Sequence, residues 1–244
     1  MAHAYLVDDL VDTEPGALVV VTGPEARHAV TVSRVRPGEA LRLGDGRGLV
    51  VHGEVVEAAP DRLVLRADRV HREAPPPRRT VLVQALAKGD RDELAVQAAT
   101  ELGVDEVVPW AAARSVSRWQ GPKVDKGLTR WRSIVREASK QAVRSHVPTV
   151  APLAGLRDLV GRASGSLVLV LDPAAEHPLS GVDLTAHDGD VVVVVGPEGG
   201  IAPHELEELA AAGALPVRLG GDVLRTSTAG PAALAVLAVG LGRW

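Results

Sequence analysis

Two glycine-rich segments near the end of the chain have the composition of ligand-binding loops. Residues 196–200 read Gly-Pro-Glu-Gly-Gly and follow five consecutive valines, and residues 219–230 read LGGDVLRTSTAG. The first segment is neither a G-x-G-x-x-G fingerprint nor a P-loop, which disfavours a phosphate site. Both are compatible with ordinary strand–helix turns, but one turn residue would then suffice where the first segment has three glycines and a proline. We therefore predict that the two loops share a ligand pocket.

The segments around these loops alternate between strands and helices. The all-valine run 191–195 is typical of a strand covered on both faces, and Pro203 with Glu205 favours a helix start soon after it. Strands are predicted at 80–86, 105–110, 166–172, 190–196 and 214–220, and helices at 90–103, 125–144, 203–213 and 227–241. Asp90 is predicted to cap its helix, with Glu93 completing a capping box. This order predicts an α/β domain with a mostly parallel sheet.

The first third of the chain has a different pattern. Its predicted elements are a strand at 18–22, a helix at 23–35, a hairpin about Asp45-Gly46 and a strand at 61–70. Short strands with tight turns predict a small β-rich domain, which we expect to be a barrel. Three consecutive prolines then interrupt the chain and favour an extended spacer. We predict domains at 1–71 and 80–244, joined by a linker at 72–79.

Charge is unevenly distributed along the chain, whose net charge is −4. Residues 71–145 hold 14 Lys/Arg against 9 Asp/Glu, whereas residues 1–70 hold 8 against 11 and residues 146–244 hold 5 against 11. Four cations recur every four residues along the helix at 125–144: Arg132, Arg136, Lys140 and Arg144. Like charges at that spacing repel each other, which an anion lying against the helix would relieve. The pattern indicates either a polyanion site or a solvated face.

Composition excludes several classes of protein. The chain has no cysteine, which excludes disulfides, cysteine-ligated zinc and thiol catalysis. No metal site is predicted. It has neither a secretory signal nor an apolar run of about 20 residues, so we expect a cytoplasmic protein that does not enter a membrane. Trp131 falls in the apolar stripe of the long helix, whereas Trp110 and Trp119 fit either core positions or stacking on bases.

Three parts of the chain resemble the RsmE family, SPOUT-class methyltransferases that act on N3 of a uridine in small-subunit (16S) ribosomal RNA. The C-terminal part reads VVGPEGGIAPHELEELAAAGALPVRLGGDVLRTSTA. The middle part reads ALAKGDRDELAVQAATELGVDEVVPWAAARSVSRW and then RWRSIVREASKQAVRSHVPTV, in the order and spacing of the family. The N-terminal part, RHAVTVSRVRPGEALRLGDGRG, is similar to the family's PUA-like RNA-binding domain. The resemblance covers nearly the whole chain.

The resemblance implies a small PUA-like β-barrel domain followed by a SPOUT α/β domain whose C-terminal part forms a trefoil knot. It also implies a homodimer that binds S-adenosylmethionine through backbone groups of the knot loops and methylates ribosomal RNA, either free or in the assembled small subunit. The implied cofactor-binding residues are Leu171, Gly196, Pro197, Gly199, Gly200, Leu219, Gly220, Val223, Leu224 and Thr226. From the distribution of cations, we predict that Arg34, Arg114, Arg132, Arg136, Lys140 and Arg144 bind the RNA.

Two residues of these loops are candidates for catalysis. When N3 of a uridine loses its proton, negative charge spreads onto the flanking carbonyl oxygens, and Arg225 offers them a planar fork of donors. Glu198 is the nearest carboxylate and acts either as a base or as a brace of the loop. The chain departs from the family at Asp222 and Ser227, where Arg and Glu are common. It departs again at Ala4-Tyr5-Leu6, where the family has an Arg-Phe-Phe-like stretch.

The motifs leave other functions open. A SPOUT enzyme could instead methylate another RNA base or a ribose 2′-hydroxyl. The departures at Asp222 and Ser227 are also compatible with an RNA-binding protein that has lost catalysis. A nicotinamide dehydrogenase is disfavoured because the dinucleotide fingerprint is missing. Binding of S-adenosylmethionine would separate the methyltransferases from the other two classes.

Overall fold

The computed structural model describes residues 3–244, which form two compact units. The first contains residues up to Pro75 together with Ser139–Val147, and the second contains Pro76–Ala138 and Pro148–Trp244. The change of unit at Pro75 lies inside the segment 72–79 that the prolines indicated. The segment Ser139–Val147 falls in the first unit, although its position in the sequence suggested the second domain.

The first unit is built on one five-stranded sheet. Its strands are β1 (His3–Leu6), β2 (Leu18–Thr22), β3 (Ala40–Gly44), β4 (Leu49–Ala59) and β5 (Arg62–Arg72). They are ordered β1-β3-β4-β5-β2, with β1 parallel to β3 and the other neighbours antiparallel. Helix α1 (Gly23–Arg27) follows β2 and continues into a π-helical turn at His28–Val32.

The core of the first unit combines alternating strand residues with α1. Val19 and Val21 of β2 are buried with Ala26 of α1, whereas Leu18 is 62% exposed. This period of two is the pattern of a strand with one solvated face. The predicted small β-rich domain at the N-terminus is confirmed, and β1 is an additional strand that the sequence did not indicate.

The second unit is an α/β domain with an all-parallel sheet of order β11-β9-β10-β6-β7-β8. The strands are β6 (Thr80–Ala85), β7 (Glu106–Trp110), β8 (Thr149–Val150), β9 (Leu167–Leu171), β10 (Val191–Val195) and β11 (Leu215–Val217). The helices are α2 (Arg91–Glu101), α3 (Pro122–Gln141, whose last residues belong to the first unit), α4 (Leu156–Arg162), α5 (Pro203–Ala211) and α6 (Thr226–Gly240). The predicted mostly parallel sheet is confirmed.

Helices cover both faces of this sheet. Val81 and Val83 of β6 are buried in one cluster with Leu159 of α4 and Leu209 of α5. Leu82 points to the opposite face, because successive strand residues alternate. There α6 approaches so closely that a Cβ atom at Gly230 would lie 2.9 Å from Cδ1 of Leu82. Burial on both faces explains why β6 and β10 read as continuous apolar runs.

Several predicted element ends differ from the structure. The predicted capping box at Asp90 is wrong: Asp90 has a left-handed φ of 57° and makes no side-chain cap bond. Asp92 instead accepts the backbone N–H groups of Ala87 and Glu93, at 3.2 and 2.9 Å. The long helix ends at Gln141, so Arg144 lies beyond its last turn. Strand β8 and helix α4 were not predicted.

The connection between β9 and β10 runs beside the segment that leads into α6. Arg218, which follows β11, donates its backbone N–H to the carbonyl of His177 at 2.9 Å and accepts the N–H of Leu179 at 2.8 Å. Its guanidinium also donates to the carbonyl oxygens of Ala175 and Glu176. These bonds hold the β9–β10 connection against the residue that follows β11. The trefoil knot itself stays a prediction.

Candidate active site

A cavity of about 610 Å³ lies at the carboxyl ends of β9, β10 and β11. Its lining comes largely from the loops after these strands, around residues 171–173, 196–201 and 217–226. Ligands of open α/β sheets bind outside the carboxyl ends of the strands, and this volume is typical of small-molecule sites. The structure therefore brings the two glycine-rich loops into one pocket.

The first loop contains two glycines with a clear geometric reason. A Cβ atom at Gly196 would lie 2.8 Å from Cγ1 of Ile201 and 3.2 Å from its backbone nitrogen. Gly200 has a φ of +72°, in the left-handed region that favours glycine, and donates its N–H to the carbonyl of Pro197 at 2.9 Å. Gly196, Pro197 and Gly200 are three of the residues predicted to bind the cofactor, and all three line the cavity.

Arg114, predicted as an RNA-binding residue, braces this first loop. Its Nη1 donates to the carbonyl oxygens of Gly199 and Ile201, at 3.2 and 3.4 Å. A Cβ atom at Gly199 would lie 3.4 Å from Cβ of Arg114. Arg114 lines the cavity, whereas Gly199 does not. The predicted contact between Gly199 and a cofactor therefore has no support in the cavity's geometry.

The second loop leaves its backbone polar groups unpaired. Within residues 3–244, the N–H and C=O groups of residues 219–224 make no hydrogen bond to other protein groups. Leu219, Gly220, Val223 and Leu224 line the cavity, and Val223 is 76% exposed. Free backbone groups beside exposed apolar side chains suit a ligand that has both polar and apolar parts.

Thr226 joins the two loops. Its hydroxyl donates to the carbonyl of Gly196 at 2.8 Å and accepts Nε2 of Gln84 at 2.9 Å. Thr226 lines the cavity, and Gln84 is fully buried on β6. Sequence reasoning missed Gln84, although it is the one polar residue in the apolar run VLVQAL. A polar side chain in a buried strand needs a hydrogen-bond partner, which is the signal that could have identified it.

Arg225, the first candidate for catalysis, presents a free guanidinium at the cavity. Its side chain makes no hydrogen bond or ion pair with any residue in the described part of the chain. Its backbone carbonyl accepts the N–H groups of Thr228 and Ala229, which fixes the residue at the start of α6. The other three arginines of the lining have protein partners: Arg91, Arg114 and Arg218.

Glu198, the second candidate for catalysis, is held as an ion-pair partner. Its Oε1 accepts the backbone N–H of Lys88 at 3.2 Å and Nη1 of Arg91 at 3.0 Å. Burial alone would raise the pKa of Glu198. Hydrogen bonds from the backbone N–H groups of Glu198 and Lys88, together with the hydrogen bond and charge of Arg91, outweigh burial and leave the pKa below its ordinary value. A carboxylate stabilised in its ionised form is a weak base. The geometry favours a brace between the loops after β6 and β10.

Other residues around the cavity were missed as site residues. Asp172 and Arg91 line it, as does Asp222, one of the departures from the family pattern; Ser227 does not. Glu205 lies behind the wall, 3% exposed, and accepts the backbone N–H groups of Ala113 and Ala202 at 2.8 and 3.1 Å. It ties the start of α5 to the segment after β7, a contact between distant residues that helix propensity could not indicate.

The predicted row of cations does not form one solvent-facing surface. Arg132 is exposed on α3, whereas Arg136 and Arg144 are half-buried. The side chain of Lys140 is only 9% exposed, and its Nζ lies 3.2 Å from Oε1 of Glu25. An acid of the fold thus relieves part of the repulsion that suggested an external anion. Arg34, in the first unit, is exposed.

The three tryptophans in and beside the basic segment do not form a stacking platform for bases. Trp110 and Trp131 are buried, with 0% and 1% exposure. Trp119 is half-buried and meets Trp131 edge-on, with 5.5 Å between ring centroids. A Cβ atom at Gly127 would lie 2.5 Å from the Trp119 ring, so this indole lies flat against α3.

The described residues contain no group of three or more His, Cys, Asp or Glu side chains that could hold a metal ion. None of the helices within residues 3–244 is both long enough and apolar enough to cross a membrane.

Comparison with known proteins gives matches over both units. Residues 74–238 match the RNA methyltransferase domain family, and residues 21–68 match the RNA methyltransferase PUA domain family. Ribosomal RNA small subunit methyltransferase E of Mycobacterium bovis is 47% identical, over 100% of this chain and 94% of that protein. The Bacillus subtilis protein of the same name is 30% identical, over 86% of this chain and 85% of that protein.

A solved structure agrees with these matches. Ribosomal RNA small subunit methyltransferase E from Neisseria gonorrhoeae, bound to S-adenosyl methionine, superposes with a TM-score of 0.86 at 29% identity, covering 98% of each chain. The domain match spans most of the chain, and the identity to curated relatives extends over its full length. The chain belongs to the RNA methyltransferase family, with a PUA domain, that includes ribosomal RNA small subunit methyltransferase E.

Proposed function

We propose that this chain transfers a methyl group from S-adenosylmethionine to N3 of a uridine in small-subunit ribosomal RNA. The observation that carries the proposal is the cavity in which two glycine-rich loops meet at the carboxyl edge of the sheet. Membership of the RNA methyltransferase family supports the reaction class, and the names of the relatives support the small subunit as the source of the RNA.

The residues of the cavity fit S-adenosylmethionine. The unpaired backbone groups of residues 219–224 can bind its polar edges, and glycines at 196, 200 and 220 allow the backbone to approach closely. The residues that would hold the cofactor are Leu171, Gly196, Pro197, Gly200, Leu219, Gly220, Val223, Leu224 and Thr226. When bound, S-adenosylmethionine supplies an activated methyl group on a sulfonium sulfur.

Arg225 is the residue that we assign to the chemistry of the base. Loss of the N3 proton to solvent leaves negative charge on the two neighbouring carbonyl oxygens of the uracil. A guanidinium is charged at every working pH and offers them a planar pair of donors. Because the Arg225 side chain has no partner among the described residues, binding the uracil breaks no existing bond. We assign Glu198 to bracing the loop and not to accepting the N3 proton, because its carboxylate forms an ion pair with Arg91.

The RNA would be bound mainly through its phosphates. Arg34 and Arg132 have exposed side chains, and Arg114 lines the cavity, so these three are the leading contacts, with Arg136 and Arg144 as further ones. Lys140 is left out because it is nearly buried in its ion pair with Glu25. We further propose a homodimer whose activity is cytoplasmic, with the knot loops forming the cofactor pocket.

Calorimetric titration with S-adenosylmethionine tests the proposal at its first step. The proposal predicts saturable binding by the wild-type chain, with one site per chain. An RNA-binding protein without catalysis would bind small-subunit RNA but show no heat with S-adenosylmethionine, and that result would contradict the proposal. Gly220→Val is the matched variant for this titration: a Cβ atom there meets no protein atom within 4 Å, so we expect the variant to fold but not to bind the cofactor.

A further inference from the structure

We infer that Gln84 is a positioning residue for the cofactor site, acting through Thr226 to fix the two glycine-rich loops relative to each other. The inference rests on the proposed function, since the placement of these loops matters if they bind S-adenosylmethionine. Gln84 does not itself line the cavity. It is fully buried on the central strand β6, opposite Val195, the last residue of β10.

The hydrogen bonds have one consistent direction. The two amide protons of Gln84 go to the carbonyl of Ala85 at 3.1 Å and to the hydroxyl of Thr226 at 2.9 Å. With its oxygen occupied as an acceptor, that hydroxyl directs its single proton to the carbonyl of Gly196 at 2.8 Å. If an acceptor replaced the amide nitrogen, the hydroxyl proton would turn toward it. Gly196 would then lose its donor.

The hydrogen bonds from Gln84 to Thr226 and from Thr226 to Gly196 form a relay that joins β6 to the end of β10 and to the start of α6. Gly196 is the first residue after β10, and Thr226 is the first residue of α6. Gln84 belongs to neither loop, and 142 residues separate it from Thr226. A rigid strand in the middle of the sheet therefore sets the spacing between the loops. Because the relay is buried, each of its bonds is stronger than an exposed one and more costly to leave unmade.

Removing the relay should weaken binding of S-adenosylmethionine without abolishing it. Gln84→Met keeps the shape and loses both donors, and Thr226→Val keeps the shape and loses the hydroxyl. We expect each to weaken S-adenosylmethionine binding by about tenfold, the factor for one net hydrogen bond. Thr226→Ser retains the hydroxyl and should therefore bind the cofactor more tightly than Thr226→Val. The double variant should bind about as well as either single variant, because both break the same chain.

The test combines calorimetry, steady-state kinetics and thermal unfolding on the full chain. A positioning role predicts a raised KM for S-adenosylmethionine with an unchanged KM for RNA. Thr100→Val is the control, since Thr100 is fully buried in α2 and its hydroxyl donates to the carbonyl of Val96 at 2.8 Å. It should lower the melting temperature without changing cofactor affinity.

Two outcomes would overturn the inference, and they differ from each other. If wild type and variants bind S-adenosylmethionine equally well, Gln84 has only a structural role while the proposed function stands. If wild type itself does not bind, the proposed function and the inference both fail. Should Gln84→Met not fold, the Thr226 pair decides: equal affinities of Thr226→Val and Thr226→Ser would overturn the relay, and tighter binding by Thr226→Ser supports it.

Discussion

Replacing Arg225 should separate catalysis from binding and from folding. Its guanidinium makes no bond to any residue in the described chain, so its removal leaves no buried group unpaired. We therefore expect Arg225→Ala to change the free energy of unfolding by no more than about 0.5 kcal/mol, as for a surface substitution. S-adenosylmethionine should bind with nearly wild-type affinity, because backbone groups are proposed to hold the cofactor.

The rate of methyl transfer should fall sharply. Loss of one well-placed donor to a developing oxyanion typically costs about 2.7–4 kcal/mol, a factor of roughly 10² to 10³ in kcat. Arg225→Lys should also lose much of the rate, because an ammonium group is a point charge and cannot reproduce the planar fork. The deficit should shrink as the pH rises, because more of the uridine is then ionised without help from the enzyme.

The assay is single-turnover methyl transfer to small-subunit RNA, followed across a range of pH with cofactor and RNA saturating. Single-turnover conditions separate the chemical step from binding and product release. A fully active Arg225→Ala enzyme would refute the reasoning. So would a rate deficit of the same size at every pH, which would give Arg225 a structural role. Melting curves of each variant check that the comparison is between folded proteins.

Three further predictions concern the loops and the charges. Gly220→Val should abolish cofactor binding while its melting temperature stays that of wild type, and Gly165→Val, another glycine with open space at its Cβ, should leave binding unchanged in the same calorimetric titration. Arg132→Glu should weaken RNA binding and make it less dependent on salt concentration. Arg157→Glu, at another exposed arginine, is the control, and equal RNA affinities of the two variants would show that Arg132 does not contact the RNA. Glu198→Gln should lower the melting temperature above pH 4.5, the ordinary pKa of a glutamate. Because the pKa of Glu198 is lower in the folded protein, the extra stability of wild type should be lost as the pH falls through that lower pKa. A difference in melting temperature that does not depend on pH would contradict the ion-pair brace.

The parallel sheet was predictable because its signal is local. Five consecutive valines at 191–195 can be buried only if both faces of the strand are covered, and all five are buried in β10. The glycine-rich loops were predictable for the same reason, since the residues that form each turn are adjacent in sequence. Their convergence followed from the rule that parallel strands have their carboxyl ends at one edge.

The contacts that give the site its chemistry were not predictable from local patterns. The sequence makes Glu198 a candidate base, but in the structure Arg91, 107 residues away, forms a hydrogen bond with its carboxylate. The sequence likewise predicts Lys140 as an RNA contact, but in the structure it pairs with Glu25, 115 residues away. Spacing within one helix describes which cations are neighbours, but it carries no information about the element that packs against them. Such pairs appear only once the chain is folded.

Mass mapping of RNA methylated by the purified protein tests the central claim most directly. Small-subunit RNA that lacks the modification would be incubated with the protein and S-adenosylmethionine, both as free RNA and as assembled subunits, and then digested to nucleosides and fragments. The account predicts one added methyl group, on N3 of a uridine at a single position, in at least one of the two substrates. A methyl group on a ribose 2′-hydroxyl or on another base, or no transfer to either substrate, would contradict it.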